Sequence, residues 1–366
     1  LVGAEMCIRD RIIIYNPADG VHGIDATTQA PSYYKFDDTL GVEYGYQTIA
    51  VPGVVKGLTD ALQNYGTLPL AQVMNPAIAY ANNGYKLLPG EALRQRSVNE
   101  FLKEFAGTRQ YYLDKDSLTY DAGKLIVQQD LGKVLKAISD NGPEVFYQGW
   151  IAEAMVKDVS DNGGFLTLES LKNYRSEKSH IVNGSYRGYF IKALWLPAYG
   201  AITIEALQIL EQLQVNMNEH RERGLAIYHA VESAYLDKEE QKTLDDAQRF
   251  TSKFWAKKRA LETPIMNSNG IEGLRNDNIN INPETIKDPN GHTSHLTVID
   301  KNGMIVCLTQ TIGPTMGSKV ATPGLGFLYA QTMGGYLGEV EPNPVSYTHL
   351  RAHETRHDLV CRLLLE

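Results

Sequence analysis

The run Gly291-His292-Thr293-Ser294-His295-Leu296-Thr297-Val298-Ile299-Asp300 puts a hydroxyl nucleophile, Thr293, at the head of a β-rich segment, directly after a polar Asp288-Pro289-Asn290-Gly291 loop. If the chain is cut before Thr293, that residue gains a free α-amino group. Nucleophile and general base then sit on one residue, the threonine/N-terminal-amine form of an activated nucleophile. Leu296, Val298 and Asp300 alternate with His295, Thr297 and Ile299, which reads as a strand. Met304-Ile305-Val306-Cys307-Leu308 is a second such run, and the Asn302-Gly303 pair between them signals a hairpin. A three-residue Lys301-Asn302-Gly303 loop, with Gly303 at positive φ, places Thr311 opposite Thr293. A two-residue loop would slip the pairing by one and turn Thr311 to the other face. The three-residue loop is the expected one, because it gives the nucleophile a hydroxyl neighbour. The local pattern by itself also fits a plain surface hairpin whose threonines serve β-propensity.

The two ends stand apart from the rest. Codons can be written for Leu1–Asp10 (LVGAEMCIRD) whose complementary strand encodes Val345–Glu354 (VSYTHLRAHE), so one DNA element read from opposite strands flanks the gene. Residues 1–11 and 345–366 are therefore expected to be adapter-derived scars, to be kept out of fold reasoning. His353-Glu354-Thr355-Arg356-His357 matches the H-E-x-x-H zinc pattern, but it falls in translated adapter and no metal site is expected there. Cys7 and Cys361 fall in the same ends, which leaves Cys307 alone and the redox compartment unspecified. A signal peptide cannot be read from such an end, so localisation stays unknown. The net charge of −8 includes the tails, and no basic patch suggests nucleic acid.

About 330 residues remain, enough for one large domain or two smaller ones. No apolar run is long enough to span a membrane. The elements that must position the threonines are mixed. Ile12–Tyr15 reads as a buried strand, with a turn at 16–20 and a second strand at Gly23–Asp25. Helical spacing covers Val54–Tyr65, Leu70–Asn82, Leu131–Asp140 and Trp150–Asp161. Thr167 is expected to cap a short helix to Asn173. Ile202–Leu213 and Leu225–Leu236 are expected to form a buried helical pair, followed by a helix at Ser252–Leu261. The polar stretch 267–290 reads as a loop leading to the cut.

Along this body lie Ala50-Val51-Pro52-Gly53 with Gly57-Leu58, Tyr65-Gly66-Thr67-Leu68-Pro69, Asn75-Pro76-Ala77 and Gly142-Pro143-Glu144-Val145-Phe146-Tyr147-Gln148-Gly149. Gly163-Gly164-Phe165-Leu166-Thr167, Tyr186-Arg187-Gly188-Tyr189 and the Thr293 segment follow in order. In that order the chain resembles the γ-glutamyltransferase family of N-terminal-nucleophile hydrolases. The resemblance implies an α+β fold, an αββα sandwich, here incomplete, made as a precursor. Residues 12–292 would be the large-subunit part and 293–344 the start of a small subunit that stays bound after scission between His292 and Thr293. It further implies amide acyl transfer or hydrolysis on a small-molecule amide or peptide, with no cofactor, Thr311 orienting the nucleophile, and a periplasmic or secreted location.

The same resemblance marks departures. An arginine that clamps the substrate carboxylate stands in the family where this chain has Thr27, a loss worth roughly 2–5 kcal/mol for a buried clamp. An asparagine is replaced by Gly313, and the Gln and Asp that hold the amino group fall at Thr332 and Gly335. The family's Ser-Ser pair and Gly-Gly oxyanion donors would lie beyond Asn343, so these residues alone are expected to be nearly inactive. Two other readings follow: an amidohydrolase or acylase on a non-glutamyl amide, and a non-catalytic homologue that never matures. His295 is expected to serve the strand rather than the cleavage. Gly313, Gly317, Gly324 and Gly326 read as a close-approach loop and lack phosphate-loop spacing. His229, Glu232 and Tyr235 share a helix face that suits a core edge better than a metal.

Overall fold

The computed structural model describes residues 10–32, 34, 44–196, 198–213, 215–216, 218–262 and 293–333, with the backbone of two short strands at 5–6 and 363–365. The loop 267–290, His292 and Gly335 lie outside the described residues.

Three consecutive isoleucines organise the first layer. Strand β1 (Arg11–Asn16) is apolar on both faces, so it must lie inside a sheet that is covered on both sides. Ile12 and Ile14 point one way, with Ile24 and Leu308, toward the helix α1 (Val54–Tyr65). Ile13 points the other way, with Cys307 and Leu194 of a second sheet. All three are at most 2% exposed, and each contributes about 1.5–3 kcal/mol by transfer from water. β1 pairs antiparallel with β2 (Gly20–Asp25) on one side and with a distant C-terminal hairpin on the other.

The second sheet is built on β3 (Ile181–Tyr186) and β4 (Tyr189–Leu194). Their turn, Arg187-Gly188, has φ of 49° and 86°, the left-handed pair that matches strand twist in a two-residue hairpin. Gly23 sets the contact between the sheets: a Cβ there would fall 2.6 Å from Leu194 Cδ2 and 2.7 Å from the Ser179 carbonyl. Residues 363–365 add to the free edge of β4, as any extended apolar run can.

The C-terminal hairpin completes the first sheet. Strands β5 (Ser294–Ile299) and β6 (Ile305–Gln310) pair antiparallel, and β6 pairs with β1, so β5 lies on the rim with Val298 and Ile299 exposed.

Helix α2 (Gly200–Gln212) packs on the second sheet, with Ile204 against Val182, Ile191 and Ala193. Gly184 makes that fit, because a Cβ there would meet Ile204 Cγ2 at 2.1 Å. The layers are thus helix, sheet, sheet, helix, and the fold is α+β of the expected sandwich type. Behind α2 lie α3 (His220–Lys238) and α4 (Lys253–Glu262), brought close by Ala226, Ala230, Ala256 and Ala260. The expected buried pair is corrected in part: α2 is buried, but α3 exposes Ile227, Tyr228 and Leu236 and buries Ala226, Ala230, Ala234 and Asp237. His229 Nδ1 lies 3.5 Å from Glu232 Oε2 on that helix.

The expected boundaries otherwise hold within a few residues. Val54–Tyr65 and Trp150–Asp161 match, and Thr167 Oγ1 accepts from the Ser170 backbone N–H at 3.1 Å. Short helices at Pro89–Ser97 and Ala106–Tyr112 were not anticipated. No described helix is long and apolar enough to cross a membrane.

A buried acid locks the outer helices. Trp255 Nε1 lies 2.9 Å from Glu205 Oε1 and 2.8 Å from Asp237 Oδ2, and Arg259 Nε lies 3.0 Å from Asp237 Oδ2. Burial, then the neighbouring Asp237 carboxyl, push Glu205 up to about 10. A carboxyl that is protonated when folded gives full stability below its unfolded value, and that stability drains away as pH rises toward 10. Glu205→Gln keeps the donor and removes the ionisation. The melting temperature of the wild type should fall more steeply than that of Glu205→Gln between pH 5 and 10; parallel curves in a thermal-melt series would refute this linkage.

Candidate active site

The hairpin that carries the proposed nucleophile closes through Lys301-Asn302-Gly303, with Gly303 at φ +84°. Asp300 Oδ1 accepts from the backbone N–H groups of Asn302 at 2.8 Å and Met304 at 2.9 Å. This is the three-residue loop expected from the sequence. Its register pairs Ser294 with Gln310 and His295 with Thr309. One step further along the same ladder, Thr293 faces Thr311.

The face to which they belong is the one between the sheets, at its open end. Cys307 and Ile13 on that face are sealed, while His295 and Thr297 are exposed and Thr293 is partly buried. His295 Nδ1 is 2.9 Å from Thr309 Oγ1, and its Nε2 is 3.2 Å from Thr297 Oγ1. Both ring nitrogens are thereby held on neighbouring strand hydroxyls, in line with a positioning role in the strand. Thr311 Oγ1 accepts from the Gly313 N–H at 3.1 Å, a turn that Gly313 permits at φ +86°. That contact uses a lone pair of the Thr311 hydroxyl and leaves its proton for an acceptor across the strand pair.

Asp25, Arg11, Thr309 and His295 lie in one row across β2, β1, β6 and β5. Thr27 lies two residues beyond Asp25, on the same end of the sheet as Thr293. Three strand spacings separate β2 from β5, roughly 14 Å, a gap that a threonine side chain cannot bridge. The Thr27 hydroxyl donates instead to Asp25 Oδ1 and lies 3.2 Å from Arg11 Nη2. Arg11 belongs to the end set aside as adapter-like, and no role is assigned to it.

The Ala50-Val51-Pro52-Gly53 motif fixes the Thr27 segment. Gln29 bridges Val51, Tyr174 Oη donates to the Thr27 carbonyl at 2.9 Å, and Tyr147 Oη donates to the Pro52 carbonyl at 2.9 Å. The two tyrosine rings stack with centroids 5.5 Å apart. Gly53 lies so close that a Cβ would fall 1.9 Å from the Ala26 carbonyl oxygen and 2.2 Å from Tyr174 Oη.

The glycine-rich segment after Thr311 folds under the site. Gly317 and Gly326 make close approaches, to the Tyr329 carbonyl and to the Leu131 backbone, while Gly313 and Gly324 supply positive φ. Thr322 ties the segment to the helical layer: its hydroxyl donates to Asp158 Oδ2 at 2.7 Å and lies 2.7 Å from Tyr329 Oη. Burial raises Asp158, and burial followed by the Asp158 charge raises Tyr46 to about 12. Thr332 is buried, and its backbone N–H donates to the Thr48 carbonyl at 2.8 Å.

Lys319 was not anticipated. It is 6% exposed, at φ +66°, and its Nζ donates to the Gly317 carbonyl at 2.7 Å. Burial lowers it to about 8. Lysine seldom reads as a core residue, so composition gave no signal for it. Among the described residues no group of three or more His, Cys, Asp or Glu could hold a metal ion.

The chain is similar to known proteins. A family model described as gamma-glutamyltranspeptidase matches residues 11–355. A glutathione hydrolase proenzyme of Pseudomonas sp. (strain A14) is 29% identical over 308 residues, 81% of this chain and 52% of the relative. An acylase ACY 1 proenzyme of Pseudomonas sp. (strain V22) is 29% identical over 358 residues, 89% and 60% respectively. The chain spans about half the length of the curated relatives it matches. The crystal structure of Helicobacter pylori gamma-glutamyltranspeptidase superposes with a TM-score of 0.65 at 28% identity, over 74% of this chain and 84% of that one.

The Gly53 contact is testable. Gly53→Ala forces the Thr27 segment off its seat and should destabilise by at least about 2 kcal/mol, read as a lower urea midpoint. An unchanged midpoint would remove the motif from the list of elements that hold the site.

Proposed function

The chain belongs to the gamma-glutamyltranspeptidase family, and on that premise we propose that the full-length protein cuts itself between His292 and Thr293 and then transfers or hydrolyses an acyl group through Thr293. The observation that carries this reading is the register that sets Thr311 opposite Thr293 at the open end of the sandwich. Thr293 Oγ1 attacks the His292 carbonyl carbon, and the acyl group moves from nitrogen to oxygen. Water hydrolyses the ester, leaving a carboxylate on His292 and a free amine on Thr293. That amine, with a reference pKa of ~8, takes the hydroxyl proton while the oxygen attacks a substrate amide. The proton then passes to the leaving amine. Water or an acceptor amine resolves the acyl-enzyme, returning an acid or a new amide. Thr311 would hold the nucleophile in line by hydrogen bonding.

A second reading concerns the acyl group. Thr27 lacks a charge, and its hydroxyl is engaged with Asp25, which favours a non-glutamyl acyl donor over γ-glutamyl. That the relatives include both a glutathione hydrolase and an acylase at equal identity agrees with either donor.

On a denaturing gel the full-length gene product should run as two chains, the smaller beginning at Thr293 by terminal sequencing. Thr293→Ala should give one chain and lose amidase activity by at least about 10³-fold. A single chain in the wild type, unaltered by Thr293→Ala, would favour the non-catalytic homologue.

A further inference from the structure

The helix Leu70–Asn83 turns one face to the core and another to solvent. Ile78 and Ala81 are buried, and Met74 packs on the same core. On the outer side Val73, Pro76 and Tyr80 are exposed at i, i+3 and i+7, which puts them on one stripe of the helix surface. Val73 is 42% and Tyr80 55% exposed, and Leu68 in the preceding turn is 51% exposed. The apolar surface continues past the helix end. The Gly84 N–H donates to the Tyr80 carbonyl at 2.9 Å. A Cβ on Gly84 would fall 2.8 Å from Val127 Cγ2 and 3.0 Å from Leu125 Cδ1, two more exposed apolar side chains.

Single exposed leucines are ordinary on a protein surface; a solvent-facing helix without charge is not. From Ala61 to Tyr85 the chain runs 25 residues with no Asp, Glu, Lys, Arg or His, where its 21% charged content would place about five. The helix Gln129–Asn141, which packs beside it, follows the usual rule: Lys133 pairs with Asp130 and Lys136 with Asp140. A contiguous exposed surface that is apolar and uncharged marks an interaction site. The absence of charge also selects the occupant. Helices that lie on lipid carry Lys and Arg beside their apolar stripe, and a charged partner finds no complement here. A second copy does. A face without charge meets its own image without repulsion, although each chain carries a net charge of −8. We propose that two copies of this chain pair through the Val73–Pro76–Tyr80 stripe about a twofold axis, with Tyr80 as the anchoring side chain. Area sets the strength. The 14 residues of the helix, at ~1.5 Å rise and ~10 Å width, make a face of roughly 200 Å². That is below the ~800 Å² per partner of a standard interface. Leu68, Leu125 and Val127 enlarge it, and the pair belongs to the weak, exchanging class. The pairing is independent of the acyl-transfer reading.

Sedimentation velocity on the full-length protein, from about 1 to about 100 μM, covers the range in which a weak interface populates both states. The wild type should pass from monomer to dimer in that range, equally at low and high salt, because no ion pair holds the face. Val73→Lys and Tyr80→Glu each put a charge on the twofold face. Each should raise the dimer dissociation constant at least about 10-fold, with an unaltered melting curve, and Tyr80→Phe should keep the dimer. A wild type that stays monomeric at the top of the range overturns the pairing. So does a dimer that Tyr80→Glu leaves intact, or one that high salt dissolves. Flotation with phosphatidylglycerol vesicles is the second arm: no co-flotation is expected, and wild type that floats while Tyr80→Glu does not would give the face to lipid and overturn the second copy as its occupant.

Discussion

Asp300 and Gly303 hold the rest of the site in place through three residues of turn. The Asp300 carboxylate accepts two backbone N–H groups of the loop, and Gly303 takes a positive φ that a side chain would resist. Together they count out the loop, and the count decides which threonine faces which. Side chains alternate across a strand with a period of two, so a slip of one residue would carry Thr311 to the α1 side of the sheet and bring an apolar residue to the open end. The chemistry suggested for Thr293 therefore depends less on Thr293 than on a turn seven residues away.

Glycines do the complementary work of bringing distant backbone within reach. Gly53 seats the Thr27 segment under Tyr174, Gly23 lets the two sheets touch at Leu194, and Gly317 sets the loop bearing Lys319 against Ile312. Each stands where a single methyl group would collide with backbone or a packed side chain. Tyr147 and Tyr174, stacked and both donating to backbone carbonyls, act as struts across the same region. The motifs that carry the family resemblance are in this sense packing devices.

Much of this was legible in the residues. Helical spacing placed Val54–Tyr65 and Trp150–Asp161, the Thr167 cap was where a side-chain acceptor was needed, and the hairpin loop followed from its glycine. The Ile181–Leu194 hairpin shows in the sequence only as a motif, because Arg187 in a left-handed conformation is not a turn residue that sequence rules favour. The exposure of α3 is hard to see in the sequence, since alanines that bury a helix carry little hydrophobic signal. Lys319 was invisible for a stronger reason: burial of a lysine is decided by tertiary contacts made through Gly317 and Tyr329, and no local pattern announces them.

The pairing of β1 with β6 has a bearing on how the chain comes into being. The two strands are about 290 residues apart. At a synthesis rate of ~5–20 residues per second, the isoleucine strand waits roughly 15–60 s on the ribosome before its partner is made. Throughout that interval one of its edges, flanked by Ile12, Ile13 and Ile14, can pair with any other extended chain. Pairing of that edge in trans before β6 emerges is the aggregation route that this topology opens.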